Sequence, residues 1–259
     1  MNNPPVADVR LRAADGVAIA ATWLPRSSET AFVVAHGFTG SRGTERMTAI
    51  VDVLQRHGSV CALDMRGHGT SGGATTLGMD EVLDVDAAVA YARSQGAERV
   101  VTIGFSMGGA VVVRHAAGAA AERHTPVHPV DAVVSVSAPA FWFYRGTRIM
   151  RIVHALVESP AGRLALRARG TRITQRPWSM PYPASPEESA ALIDIPFLIV
   201  HGDVDHYFPL EHPRALERAS AHNPRRSVVI VPGLRHAESG ISEEWVERIA
   251  LWGRQPASL

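Results

Sequence analysis

The sequence contains no lysine and a single cysteine, Cys61, among its 259 residues. One cysteine excludes an internal disulfide framework, and its place in the apolar stretch Val60-Cys61-Ala62-Leu63 reads as a buried structural thiol. All 26 basic residues are arginine and are spread along the whole chain, so the absence of lysine reads as a compositional bias without mechanism. Net charge is nearly absent too, since 26 basic residues against 25 acidic ones leave +1. That is too little to hold a polyanion through bulk charge, which disfavours nucleic-acid binding. Nowhere do about 18 consecutive apolar residues occur, as a membrane-spanning helix needs. The start, Met1-Asn2-Asn3-Pro4-Pro5, has no basic region followed by an apolar run. A cytoplasmic, soluble protein without stable membrane insertion is expected.

What is present points to a packed core. Hydrophobic residues make up 46% and charged residues 20%, which excludes an intrinsically disordered chain. From residue 31 onward short apolar runs alternate with longer helical patterns, the rhythm of a mostly parallel sheet with helices on both faces. The fold class is α/β. Residues 31–35, 59–63, 99–104, 130–136, 195–200 and 227–231 read as strands. Met47, Ile50, Val51 and Leu54 recur at helical spacing, as do Val82, Val85, Val89 and Ala92, where Asp80, Glu81 and Asp84 suit the helix dipole. Further helices are expected from Met107, over 210–221, and after Ser242 as N-cap. Val9–Leu11 and Val17–Ile19 flank the turn pair Asp15-Gly16, which predicts an antiparallel hairpin at the sheet edge. Residues 139–191 interrupt the rhythm, so a single domain, 1–259, is expected with this stretch as a helical cap inserted after the fourth strand of the parallel type.

The strongest local signal is Gly104-Phe105-Ser106-Met107-Gly108, a G-x-S-x-G pentapeptide between the strand at 99–104 and a helix. A sharp strand-to-helix turn would hold Ser106 at strained dihedrals and expose its Oγ above the sheet. The Met107 N–H, at the helix N-terminus, could then stabilise an oxyanion formed when Ser106 attacks a carbonyl.

With this elbow the chain resembles the α/β-hydrolase superfamily, in its serine esterase and lipase-like branch, from His36-Gly37 to His236. The resemblance implies that His36-Gly37-Phe38-Thr39-Gly40 supplies the second oxyanion donor, the N–H of Phe38. Asp64-Met65-Arg66-Gly67-His68-Gly69-Thr70-Ser71-Gly72 is similar to the family's D-x-R-G-x-G-x-S loop, which is mostly structural, so His68 reads as loop packing. His201-Gly202-Asp203-Val204-Asp205-His206-Tyr207-Phe208-Pro209 resembles the H-G-x-x-D-x-x-x-P loop and assigns the acid to Asp205, with Asp203 as the alternative. Pro232-Gly233-Leu234-Arg235-His236 resembles the loop that delivers the catalytic histidine, and His206 reads as local structure.

The resemblance implies acyl transfer by Ser106, His236 and Asp205 on a small-molecule carboxylic ester with a small to medium hydrophobic acyl group. A serine at the elbow argues against the dehalogenase and epoxide-hydrolase branches, which place aspartate there. No metal or organic cofactor is expected, since neither H-E-x-x-H, a Cys/His cluster nor a dinucleotide or P-loop fingerprint is present. Thioester or amide hydrolysis with the same triad is the alternative reading, and a non-enzymatic ligand-binding protein is another. Residues 141–180 hold eight arginines, from Arg145 to Arg176, against one acid, Glu158. This basic stretch reads as a solvated helical face, as a site selecting anionic substrates, or as an anchor to an acidic partner.

Overall fold

A computed structural model of the chain describes residues 6–26, 28–118, 127–175, 178 and 182–256. The hairpin at the start forms as the turn pair predicts: β1 (Ala7–Arg12) pairs antiparallel with β2 (Ala18–Leu24). β3 (Thr30–Ala35), β4 (Ser59–Leu63), β5 (Arg99–Phe105), β6 (Ala132–Val136), β7 (Phe197–Gly202) and β8 (Arg226–Val231) follow. The sheet order is β1-β2-β4-β3-β5-β6-β7-β8. β2 joins β4 antiparallel, and every pair from β4 to β8 is parallel.

Between them run α1 (Glu45–Gln55), α2 (Glu81–Ser94), α3 (Met107–Ala116), α4 (Arg148–Glu158), α5 (Pro160–Ala168), α6 (Pro186–Ala190), α7 (Glu211–Ala219), α8 (Ala237–Gly240) and α9 (Glu243–Arg254). Caps explain several starts. Thr44 Oγ1 accepts from the Met47 N–H to open α1, and Ser242 does the same for Trp245 at α9. Ser159 ends α4 and caps α5 through the Gly162 N–H, with Pro160 at the position where a missing N–H costs nothing.

The central strands are buried on both faces, and their side chains alternate between two cores. Along β3, Ala31, Val33 and Ala35 face the core shared with α2, α3 and α7. Phe32 and Val34 face the core shared with α1 and α9. A buried side chain of Phe32's size contributes about 1.5–3 kcal/mol, so this register is strongly fixed. Cys61 lies in β4 within the first core, and burial pushes its thiol up to about 12.

No helix among the described residues is long and apolar enough to cross a membrane. Between β6 and β7 the described residues carry three helices and no strand, in keeping with the broken rhythm of that stretch. Arg176 lies outside the described residues.

Two strand starts shift inward on contact with the structure, and β6 begins at Ala132 instead of Val130. β7 begins at Phe197 instead of Ile195, because Pro196 has no N–H for the ladder and only its carbonyl is used, accepting from Val133. At the start of α2 the structure buries Glu81 and Asp84 completely and gives each its own set of donors. Glu81 accepts from the hydroxyls of Thr75 and Thr76 and the amides of Thr76 and Gly78. Asp84 accepts from Arg66 Nε, Nη2 and backbone N–H, and Arg66 reaches on to Asp15 in the hairpin turn.

Candidate active site

β3 and β4 lie to one side of a reversal in strand order and β5 to the other, so a crevice opens at the carboxyl ends of β3 and β5. Four loops meet there, following β3, β5, β7 and β8. Ser106 closes β5 and opens α3 with φ +53° and ψ −116°, a conformation that non-glycine residues rarely adopt. The flanking glycines make the turn possible by close approach. A Cβ on Gly108 would lie 2.4 Å from the Ala35 carbonyl oxygen, and one on Gly104 would lie 2.1 Å from that of Gly108. The Ser106 N–H donates to Val136 O at 2.8 Å, which ties the elbow to β6.

Ser106 Oγ lies 2.8 Å from His236 Nε2, and His236 Nδ1 lies 2.7 Å from Asp205 Oδ2. With the carboxylate accepting, Nδ1 carries the proton and Nε2 is left to accept from the serine hydroxyl. Asp205 is buried, and its Oδ1 accepts from the Tyr207 and Phe208 amides at 2.8 and 3.1 Å. Burial opposes its ionisation, but His236, the Phe208 amide and nearby His201 together hold the carboxyl below the usual carboxylate range. His236 is clamped by Tyr207, stacked at 4.1 Å between ring centroids, and by the edge of Phe208 at 5.5 Å.

The structure therefore brings Ser106, His236 and Asp205 together and leaves Asp203 out. Asp203 is exposed and accepts the Gly233 N–H at 2.7 Å, pinning the turn that precedes His236. His206 is exposed. His68 sits beneath the loop after β3, where its Nε2 accepts from the Thr39 N–H at 3.2 Å and its ring meets those of His36 and Phe38. His36 in turn donates from Nδ1 to Gly37 O and accepts the Met65 N–H at Nε2. Burial, with His68 beside it, pushes His36 down to about 4, so both rings serve this loop as neutral acceptors. Thr39 is held at φ +65°, so the loop that presents the Phe38 amide is strained as well as braced. The Phe38 and Met107 amides have no hydrogen-bond partner among the described residues.

Sequence reasoning missed Glu238. Its Oε1 accepts the Gly37 N–H at 2.9 Å, joining the loop after β8 to the loop after β3. A Cβ on Gly37 would lie 2.9 Å from that oxygen and 3.2 Å from Ser106 Cβ, so the carboxylate borders Ser106. Ala237, with φ +46°, turns the chain to bring Glu238 there. The only sequence signal was an acid two positions after a loop histidine, too common a pattern to single out. No group of three or more His, Cys, Asp or Glu side chains among the described residues could hold a metal ion.

Residues 26–185 match the family model described as serine aminopeptidase, S33. No curated protein matches the chain by sequence. Among solved structures, the esterase Pf2001 of Pyrococcus furiosus is similar with TM-score 0.75 at 24% identity, over 98% of this chain and 94% of that one. The esterase RhEst1 from Rhodococcus sp. gives 0.68 at 20% identity, over 96% and 99%. XC6422 from Xanthomonas campestris, described as a serine hydrolase without lid, gives 0.59 at 19% identity, over 100% of both chains. At these identities the solved structures speak for the fold.

Proposed function

Because the chain belongs to the α/β-hydrolase family described as serine aminopeptidase, S33, we propose that it is a serine hydrolase cleaving carboxylic esters of small to medium hydrophobic acyl groups. Ser106 is the nucleophile, His236 the base and Asp205 the orienting acid, with the Phe38 and Met107 amides as oxyanion hole. The reading is carried by one observation, the continuous hydrogen-bond chain from Ser106 Oγ through His236 to Asp205. Residues 139–191 act as a cap within one domain, and the reaction belongs to the cytoplasm.

The chemistry follows from the proton positions. His236 Nε2 takes the Ser106 proton as Oγ attacks the ester carbonyl, and the imidazolium is stabilised by ionised Asp205. The oxyanion is met by the two free amides, one of them the first N–H of α3, where the helix dipole adds its positive end. The intermediate collapses with cleavage of the acyl–oxygen bond, and Nε2 returns its proton to the departing alcohol. Water then attacks the acyl-serine, giving its proton to Nε2; the acid leaves and Ser106 regains its proton.

The test is hydrolysis of p-nitrophenyl esters from acetate to laurate by the wild type and Ser106→Ala, with fluorophosphonate labelling alongside. Loss of both turnover and labelling in the variant is expected, with the chain-length optimum bounding the pocket. A wild type that neither turns over nor labels overturns the reading. The family's peptidase description favours a second reading, amide hydrolysis. It is distinguished by matched p-nitroanilides being cleaved with higher kcat/KM than the esters.

A further inference from the structure

α4 is an apolar helix that the fold does not bury. Ile149, Ile152, Val153 and Leu156 repeat at i, i+3, i+4 and i+7, the stripe by which an amphipathic helix normally packs into a core. Yet no residue of α4 is buried: Ile149 and Val153 are half-buried, while Ile152 and Leu156 remain 53% and 38% exposed. On α5, Leu164 is 69% exposed. Six of the ten exposed large hydrophobic residues among those described lie between β6 and β7. α4 and α5 are packed closely, since a Cβ on Gly162 would lie 2.2 Å from Leu156 O. They form one hairpin with a common outer surface.

Its charge is mostly of one sign, with Glu158 as its one carboxylate. Arg148, Arg151, Arg163, Arg167 and Arg169 have no carboxylate partner among the described residues, while Arg145 pairs with Glu158. The whole chain has a net charge of +1, so this hairpin concentrates positive charge that the remainder offsets. Two such faces would repel, which disfavours a symmetric pairing of copies. Apolar side chains interleaved with arginines that have no carboxylate partner, Arg151 and Arg163 donating to backbone carbonyls alone, match the boundary of a bilayer that carries anionic headgroups. The acyl region takes the stripe and the phosphates take the guanidinium forks.

We propose that the α4–α5 hairpin docks on an anionic phospholipid surface, the protein lying on the bilayer without spanning it. Thr147, the N-cap of α4, donates from Oγ1 to Tyr207 O at 3.1 Å, and Tyr207 stacks on His236. The docking face therefore adjoins the mouth of the candidate active site.

Co-sedimentation of the full chain with phosphatidylcholine vesicles, with and without phosphatidylglycerol, tests this without any need for turnover. Binding at least tenfold tighter to the anionic vesicles is expected, weakening at high salt, since each arginine at such a surface contributes about fivefold. Arg148→Glu with Arg151→Glu should abolish that difference. Ile152→Ser with Leu156→Ser and Leu164→Ser should weaken binding to the same vesicles at unchanged Tm, because these side chains are exposed in the folded chain. Equal binding to neutral and anionic vesicles, or none, overturns the proposal. So does a dimer by light scattering that the serine variant dissociates. Either failure leaves the ester-hydrolysis assay untouched, so the two readings fail separately.

Discussion

Asp203 and Asp205 stand two positions apart on one loop and accept different hydrogen bonds, one from the Gly233 amide and one from the His236 ring. Asp205→Ala should therefore lower kcat by about 10³-fold or more, by releasing the imidazole tautomer. Asp203→Ala should cost about 1 kcal/mol of stability through a turn contact and less than about tenfold in kcat. Parallel kinetics and urea melts on the two variants check both. Glu238 invites a finer comparison, since glutamine keeps an oxygen for the Gly37 N–H and alanine does not. Glu238→Gln should hold kcat within about threefold. Glu238→Ala should lower it about tenfold at little-changed KM, short of the 10²–10³ that a lost oxyanion donor costs. Equal loss in both variants would assign the effect to charge. At this scale the pentapeptide around Ser106 was legible because its glycines and serine stand together in five consecutive residues, although the contacts that require them reach Ala35 and Val136. Glu238 was not, because its partner lies 201 residues away in sequence.

Elements repeat the pattern. β4 occupies 59–63 as its unbroken apolar run predicts, and Ser242 caps α9 as its position predicts. α2 was readable as a helix but not in the use of its acids. Their burial depends on Arg66 in a loop and Asp15 in the hairpin turn, which no helical periodicity encodes. Arg66 is buried, and burial alone would weaken its charge, but the Asp84 and Asp15 carboxylates hold it protonated. Asp84→Ala would leave the buried charge with Asp15 as its remaining hydrogen-bonded carboxylate and with Nε unpaired, so a loss of about 3 kcal/mol in urea unfolding is expected. Pairing it with Arg66→Met should recover most of the loss. Recovery would show that the network fixes the loop without supplying much net stability.

For the whole molecule, the buried histidines set an acid limit. Burial with His68 nearby pushes His36 down to about 4, and burial with His201 nearby does the same to His212. In the unfolded chain each would protonate near pH 6.5. Both folded values are depressed, so their contribution is fully present above about pH 6.5 and is lost as pH falls toward 4. Each group contributes a slope approaching about 1.4 kcal/mol per pH unit in that window. Unfolding free energies at pH 7 and pH 5 should differ in that direction, and His212→Gln should flatten the dependence. A profile that is level between pH 7 and 5 would contradict the burial of these rings as neutral species.

The twisted backbone at Ser106 draws reactivity and durability from one source. Holding a side chain at φ +53° costs on the order of 1–3 kcal/mol that a glycine would be spared. A lineage selected only to survive heat would meet that position as a flaw and lose the serine there early. Its persistence in a heat-hardened variant would mark selection for turnover.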